Sequence, residues 1–196
     1  MAKKRIGALL IALGLLCSVA AIGLVGYNLW DDTRAGIAAE RVLEVMEQHR
    51  DSVFEPEFPL EPEKEQELPV LEIDGNRYIG SVAVPAIGVE LPVLENWSLP
   101  LLRIAPCRYL GSPYQNDLIL CAHNYNSHFG KLKNLMPGDE VIFTDVAGNV
   151  FSYKVAVLED LAGTDVAKME SGDWDLTLFT CTLDGRARVT VRCRAA

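Results

Sequence analysis

The stretch Leu176-Thr-Leu-Phe-Thr-Cys-Thr-Leu-Asp-Gly-Arg-Ala-Arg-Val-Thr-Val-Arg192 decides the fold of this chain. Apolar and polar residues alternate on both sides of Asp184-Gly185, a dipeptide typical of the two-residue type I′ turn of a β-hairpin. Counting outwards from that turn places Cys181 directly opposite Arg188 on the neighbouring strand. The stretch therefore predicts two antiparallel strands that hold a thiol against a guanidinium.

The two faces of this predicted hairpin differ in chemistry, because alternate side chains of a strand point to opposite faces. The face expected to lie in the core carries Leu176, Leu178, Thr180, Val189, Val191 and Cys193. The other face carries Cys181 beside Arg188, with Thr190 and Arg192 further along. A nearby cation favours the thiolate, so Cys181 is a candidate nucleophile. The plainer alternative is a hairpin with one buried cysteine and some surface arginines.

The composition favours one globular domain with extensions. The chain has 196 residues, of which 49% are hydrophobic, and its net charge of −9 argues against nucleic-acid binding. Its five cysteines are scattered and odd in number, which is not a disulfide framework, and Cys107 and Cys121 are interpreted as packing residues. The sequence shows no zinc-type cysteine pair and no acidic cluster typical of a calcium site, so we expect no metal or other cofactor.

An apolar segment near the N-terminus predicts a membrane anchor. The run from Ile6 to Trp30 carries no charge over 25 residues, and about 20 helical residues cross a bilayer core. Because Lys3-Lys4-Arg5 precede the run, residues 1–5 are expected in the cytoplasm and everything after residue 30 outside the cell. A cleaved signal peptide with its site at Ser18-Val19-Ala20 is the alternative.

Two segments are expected to connect this anchor to the domain. Residues 31–54 predict a juxtamembrane helix that Asp31, Asp32 or Thr33 could cap. Its partial apolar stripe consists of Ile37, Val42, Val45 and Met46. Residues 55–72 are rich in proline and glutamate, a composition that favours an extended, self-repelling spacer. A lid over the active site is the alternative interpretation of this acidic linker.

Residues 73–196 carry short β-rich runs separated by Gly, Pro, Asn and Asp, which predicts an all-β barrel or sandwich. The strands expected before the final hairpin are Tyr78–Val84, Val89–Leu94, Asp117–His123, Val141–Thr144 and Val150–Leu158. Short helical turns are expected within Trp97–Ile104 and Phe129–Leu135.

His123 ends a strongly apolar run and is the first candidate for the acid/base partner of Cys181. Catalytic groups are often placed where a rigid strand meets a loop. Because His49 lies in the stalk, His123 and His128 are the only candidates within the domain. His128 precedes Phe129-Gly130 in a loop and is expected to be the more exposed of the two. A hydrogen-bonded structural role is the alternative for His123.

Several segments of the domain carry a family resemblance. Thr177-Leu-Phe-Thr-Cys181, Ala122-His123-Asn124 and Arg188-Val-Thr-Val-Arg192 resemble the T-L-x-T-C signature, the histidine segment and the arginine strand of the sortases. Sortases are membrane-anchored cysteine transpeptidases of Gram-positive bacteria. The segment from Ile79 to Val93 is similar to the first two strands of the family, and the likeness covers about residues 73–194.

The resemblance implies an all-β fold, an eight-stranded sortase-type β-barrel with short helices. It implies Cys181 as nucleophile, His123 as acid/base and Arg188 as the essential arginine. It also implies a substrate-binding role for Thr180, although strand alternation points this side chain towards the core. The very short connection between Cys181 and Arg188 departs from many members of the family.

The implied substrates are secreted proteins that bear a C-terminal, LPxTG-like sorting signal. The acyl group would pass to an amine of a cell-wall precursor or to a pilin lysine, on the outer side of the membrane. Two other functions stay open on the sequence alone. One is a membrane-anchored cysteine peptidase that uses water as acceptor, and the other is a catalytically inactive surface scaffold.

Overall fold

The computed structural model describes residues 2–53 and 68–196. The helices and strands within these ranges are α1 (Ala2–Val53), β1 (Leu71–Ile73), β2 (Asn76–Val84), β3 (Val89–Leu94), β4 (Cys107–Leu110), β5 (Leu118–Ala122), β6 (Glu140–Asp145), β7 (Val150–Ala162), α2 (Val166–Glu170), β8 (Leu176–Cys181) and β9 (Ala187–Ala195). Single 3₁₀ turns follow β2, β3 and β5 at Pro85–Ile87, Leu101–Arg103 and Leu132–Asn134.

Strands β2 to β9 close into a barrel. They are hydrogen bonded in the order β2-β3-β4-β5-β8-β9-β7-β6, and β6 pairs again with β2 through Gly80 and Asp145. The short β1 lies outside this ring and pairs with the start of β2, where Leu71 is opposite Tyr78. Closure leaves the ring without a free sheet edge. The eight-stranded β-barrel predicted from the sequence is therefore confirmed.

The interior of the barrel is filled by the face of the β8–β9 hairpin that alternation assigned to the core. Leu176, Leu178, Val191 and Cys193 are fully buried, and Thr180 is 3% exposed. Val189 is partly buried and packs against the same cluster. Strand β5 runs beside β8 in parallel and is buried at every position, as its apolar run predicts.

Strand β4 is an element that the sequence does not predict. It pairs with β3 through Leu94 and Cys107 alone, and its antiparallel register with β5 shifts between Arg108 and Leu110. A strand this short and irregular has no clean alternation of apolar and polar residues. The packing interpretation of Cys107 and Cys121 agrees with their burial, since they are 0% and 4% exposed.

Helix α1 is long and apolar enough, by length and composition, to cross a membrane, a test that an N-terminal signal sequence also passes. The helix continues through Asp31, Asp32 and Thr33, so the predicted cap at these residues is wrong. The chain divides into two compact units, Met1–Arg34 and Ala35–Ala196.

The buried stripe of α1 within the second unit agrees with the predicted one at Met46 and, in part, at Val42, which packs against the cluster of Met46, and differs elsewhere. Ala35, Ala39 and Met46 are buried, whereas the predicted Ile37 and Val45 are 48% and 43% exposed. Small alanines allow a helix to approach its neighbours closely, and hydrophobicity alone does not identify them. Residue 54, the last of the predicted juxtamembrane helix, and residues 55–67 of the predicted linker lie outside the described residues. Strand β1 begins at residue 71, within the last two positions of that linker.

Candidate active site

The β8–β9 hairpin sets the geometry of the candidate site. Cys181 is the direct partner of Arg188, and Thr180 is the partner of Val189. This is the register counted from the sequence, and the structure confirms it. Cys181 is exposed, at the end of β8, while Arg188 is half-buried near the start of β9. The chain thus holds an accessible thiol beside a guanidinium.

The turn of this hairpin is not the predicted two-residue type I′ turn. That type requires positive φ at both central residues, but only Gly185 adopts one (φ 71°) and Asp184 does not. The last backbone hydrogen bond between the two strands is donated by the N–H of Thr182 to the carbonyl oxygen of Ala187, at 2.9 Å. Residues 183–186 therefore form the loop that connects the strands. The Thr182 hydroxyl donates to Asp184 Oδ1 at 2.6 Å. These bonds let a longer loop keep the same register.

His123 comes beside Cys181 through the parallel pairing of β5 with β8. Ala122 is the partner of Thr180, so the next residue of each strand, His123 and Cys181, follows on the same side of the sheet. Strand β5 ends at Ala122, which places the imidazole where the strand becomes a loop. Strand pairing thus brings together two chain segments that lie about 60 residues apart in the sequence.

The loop after β5 holds one edge and one face of the His123 ring. Nδ1 accepts a hydrogen bond from the backbone N–H of Asn124 at 3.1 Å and lies 3.1 Å from its Oδ1. The ring of Tyr125 stacks on the imidazole at 4.2 Å between centroids, with an interplanar angle of 3°. Within the described part of the chain, Nε2 has no hydrogen-bond partner, which leaves this nitrogen for proton transfer.

Arg188 is held by the backbone of its own turn. Its Nη1 donates to the carbonyl oxygens of Gly185 and Ala187, at 3.2 and 3.0 Å. No carboxylate within residues 2–53 and 68–196 forms an ion pair with it. A guanidinium has five N–H donors. Arg188 therefore keeps donors available for carbonyl or oxyanion groups of a substrate.

Gly163 allows Arg188 to take this position, a role that the sequence did not reveal. A Cβ at residue 163 would lie 3.2 Å from Nη1 of Arg188 and 3.0 Å from the carbonyl oxygen of Arg186. The N–H of Gly163 also donates to that carbonyl at 2.9 Å. The only sequence signal is a lone glycine after a long strand, which often marks a close backbone approach.

The other three cysteines of the barrel are buried and inert. Burial raises the pKa of Cys107 and of Cys193 to about 12, and it raises the pKa of Cys121 as well. Such thiols stay protonated near neutral pH and are poor nucleophiles. Cys181 is the exposed thiol of this domain.

A cavity of about 350 Å³ opens beside Cys181 and Arg188. Its walls are largely apolar, and the large side chains that line it are Trp97, Leu99, Leu102, Tyr109, Val166, Met169 and Phe179. Tyr109 contacts Phe179 edge to face at 5.4 Å. Among the described residues, no group of three or more His, Cys, Asp or Glu side chains could hold a metal ion.

Thr180 lines this cavity, whereas His123 does not. Thr180 lines it but is 3% exposed, and its hydroxyl donates to the carbonyl oxygen of Ala122 at 2.9 Å. The inward direction expected from alternation is confirmed, while its substrate-binding role stays a prediction. His123 is not a lining residue but follows Ala122, which is.

His128 is fully buried, so the expectation that it is the more exposed histidine is wrong. The loop folds back after Tyr125, whose carbonyl oxygen accepts from the N–H groups of His128 and Gly130 at 3.0 and 2.8 Å. This places His128 beside the buried Phe129 rather than in solvent. His128 does not line the cavity.

A family model described as a sortase domain matches residues 82–196. A comparison with curated proteins finds no match. Among solved structures, sortase C1 from Streptococcus agalactiae is similar, with a TM-score of 0.55 and 25% identity over 64% of this chain and 70% of that chain.

Two further structures share the fold at lower identity. A sortase D5 transpeptidase from Clostridium perfringens has a TM-score of 0.57 and 19% identity, over 81% of this chain and 96% of that one. The pilus island 1 sortase C2 of group B Streptococcus has a TM-score of 0.55 and 21% identity, over 81% and 97%. Because the family model spans more than half of the sequence, the chain belongs to the sortase family of cysteine transpeptidases.

Proposed function

We propose that this protein cleaves a sorting signal in secreted proteins and transfers the resulting acyl group to an amine. In this proposal Cys181 is the nucleophile, His123 the general acid and base, and Arg188 the group that stabilises developing charge. The observation that supports it is the strand register, which pairs Cys181 with Arg188 and Ala122, the residue before His123, with Thr180, the residue before Cys181.

The proposed reaction has two halves. The Cys181 thiolate attacks the carbonyl carbon of the scissile bond, by family likeness the Thr–Gly bond of an LPxTG-like motif. The C–N bond then breaks, and His123 gives its proton to the departing amine, which leaves a thioester on Cys181. A second amine attacks the thioester carbonyl, loses a proton to His123 and releases the Cys181 sulfur with the new amide formed.

Arg188 suits the charge that builds up in both halves. A tetrahedral intermediate places negative charge on the former carbonyl oxygen, and a donor aimed at such an oxyanion is typically worth ~2.7–4 kcal/mol. The guanidinium lines the same cavity as the thiol and keeps donors that its own turn does not use. The apolar cavity walls suit the leucine and proline of an LPxTG-like signal.

We also propose that helix α1 anchors the enzyme with its catalytic domain outside the cell. The basic residues 3–5 precede the apolar segment, which supports a cytoplasmic N-terminus. Substrates secreted through the same membrane and acceptors on its outer face would then meet at the site. Either a cell-wall amine or a pilin lysine would complete the reaction. The similar structure of sortase C from Streptococcus pneumoniae has given insight into the pilin substrate specificity of that protein.

The test is a transfer assay with the full chain in detergent. A panel of LPxTG-like peptides is incubated with and without glycinamide, and the products are weighed by mass spectrometry. We expect the N-terminal fragment to carry glycinamide in place of the residues after the threonine. A product that carries only water, even at high glycinamide concentration, would contradict transpeptidation and favour the peptidase. No cleavage of any peptide would favour the inactive scaffold.

A further inference from the structure

The part of helix α1 that belongs to the domain is packed against the barrel. Ala39 contributes to the main core cluster of the barrel, and Met46 contributes to a second cluster that includes Tyr78 and Cys121. Both helix residues are nearly fully buried, at 3% and 2% exposure. Packing at two levels gives this part of α1 a defined position on the domain.

One turn before Ala39, the helix meets the loop that follows His123. A Cβ at Gly36 would lie 3.3 Å from the Cβ of Ser127 and 3.9 Å from its hydroxyl oxygen. This distance is tighter than ordinary van der Waals contact, so a side chain at residue 36 would push against Ser127. Glycine costs helix stability relative to alanine, and its presence here is explained by the close approach of the loop.

Hydrogen bonds of the residues that follow Ser127 connect its part of the loop to Tyr125 and His123. The N–H of the next residue, His128, donates to Tyr125 O at 3.0 Å, and the N–H of Phe129 donates to His123 O at 3.3 Å. The rings continue the link, since Tyr125 stacks on His123 and lies 5.3 Å from His128 between centroids. A displacement of Ser127 therefore shifts the groups that orient His123.

We infer that helix α1 positions His123 for proton transfer and that Gly36 is the positioning residue, acting through Ser127. This inference rests on the proposed function, in which His123 is the acid and base. It extends that function by making the helix that carries the membrane anchor a part of the site's support. Gly36 itself does not touch the reacting atoms.

The experiment measures kcat and KM for glycinamide transfer by the full chain with Gly36→Ala and Gly36→Val. We expect kcat to fall about 3-fold in Gly36→Ala and at least about 10-fold in Gly36→Val, because a catalytic group displaced by 1 Å can cost 10²-fold in rate. KM should stay within about twofold of the wild type in both variants. The thermal unfolding midpoint of the alanine variant should not fall, since alanine favours the helix. A loss of rate without a loss of stability is not expected from a purely structural residue.

Two controls isolate the contact. Ile37→Val changes the adjacent exposed residue and should leave kcat unchanged. Ser127→Gly removes the Cβ that the new side chain meets, so Gly36→Ala should cost little in that background, whereas Ser127→Ala keeps the Cβ and should give no relief. Each double variant is compared with its single Ser127 variant.

The inference is overturned if Gly36→Val leaves kcat within about twofold of the wild type, because a 1 Å displacement would have cost far more. It is also overturned if the loss of rate persists in full in the Ser127→Gly background. A wild-type protein that transfers no acyl group from any peptide in the panel would contradict the proposed function, and this inference with it.

Discussion

Each end of the β8–β9 hairpin has an arginine of β9 opposite a residue of β8, but the two arginines have different surroundings. Near the turn, Arg188 stands opposite Cys181, and four residues later on the same face Arg192 stands opposite Thr177. Arg192 is 2% exposed and fully engaged: it pairs with Glu159 at 2.9 Å and donates to Thr177 Oγ1 at 3.1 Å. It also donates to two carbonyl oxygens at the end of α2, at 2.9 and 2.6 Å.

Arg188, by contrast, is half-buried, borders the cavity and donates only to the backbone of its own turn within the described residues. The groups around each guanidinium therefore decide whether the arginine stabilises the fold or keeps donors free to bind a substrate. At the base of the hairpin, helix α2 and Glu159 occupy the donors. At the turn, Gly163 leaves space beside them.

The largest effect is expected at the thiol of the turn end. Cys181→Ala should reduce transfer by at least about 10⁴-fold, because removal of a covalent nucleophile leaves only binding and charge stabilisation. Cys193→Ala removes a buried thiol of the core and serves as the matched control, with activity kept. Transfer rates are measured by mass spectrometry of the products. Substantial transfer activity in Cys181→Ala would show that the turn end of the hairpin does not supply the nucleophile.

Arg188→Lys should lower kcat by about 10²–10³-fold, the loss typical of one oxyanion-stabilising donor. Lysine keeps the charge but not the planar set of donors. The thermal unfolding midpoint should stay within about 2 °C of the wild type, since water can bind the exposed Gly185 carbonyl and the part-buried Ala187 carbonyl still accepts from the N–H of Thr182. A variant with normal kcat would show that the turn-end arginine is no more than part of the turn.

Arg192→Met should lower the free energy of unfolding and leave the transfer rate unchanged, the opposite of Arg188→Lys. The guanidinium is buried but the Glu159 side chain is 39% exposed, so water can replace the ion pair. The buried Thr177 hydroxyl and the carbonyl oxygen of Met169 lose their donor, which costs about 1–3 kcal/mol in the free energy of unfolding. Denaturant unfolding of the full chain measures this cost. The rate per folded molecule should stay within about threefold of the wild type. A large fall in rate with unchanged stability would reverse the roles assigned to the two arginines.

Gly163→Ala should crowd the guanidinium of Arg188. The new methyl group would lie 3.2 Å from Arg188 Nη1 and 3.0 Å from Arg186 O. We expect kcat to fall about 10-fold, in line with the cost of a modest misplacement of a catalytic group. Gly23→Ala, at a glycine of α1 with no left-handed φ and no heavy atom within 4 Å of its added Cβ, is the control for the glycine change and should keep the rate. An unchanged rate in Gly163→Ala would mean that Arg188 does not need this space.

The smallest expected effect is on how the stability of the protein depends on pH through Asp184 in the turn. The Thr182 hydroxyl, and then the N–H of Arg186, lower the pKa of Asp184 from its usual 3.8. A folded-state pKa below the unfolded value stabilises the protein above pH 3.8, and this contribution is lost as the pH falls through the folded pKa. The difference in thermal unfolding midpoint between the wild type and Asp184→Asn should therefore be largest at neutral pH and should decrease below about pH 4. A difference that grows as the pH falls would contradict this.

The hairpin register could be predicted because the period of two fixes which residues share a face. The turn type could not, because Asp184 accepts from Thr182 and Arg186 and so lets the connection lengthen. In the same way, a polar loop residue before Gly130 is normally exposed. His128 is buried because the loop winds back on Tyr125, an arrangement that single-sequence patterns do not contain.

The positions of Cys181 and His123 could be predicted because Cys181 ends β8 and His123 directly follows β5. The cavity wall was not, since Trp97, Tyr109 and Met169 come from distant segments that meet only in the closed barrel. Gly36 and Gly163 were missed for a related reason. Their importance lies in the neighbour that approaches them, and a sequence does not show that neighbour.

The central claim is that the chemistry takes place at the turn end of the hairpin, on Cys181. It is tested most directly by acid quenching of the full chain during turnover of an LPxTG-like peptide, followed by proteolysis and mass spectrometry. The account predicts that the peptide containing Cys181 gains the mass of the acyl fragment and that glycinamide removes this adduct. An adduct on Cys107, Cys121 or Cys193, or product formed with no adduct at any thiol, would contradict it.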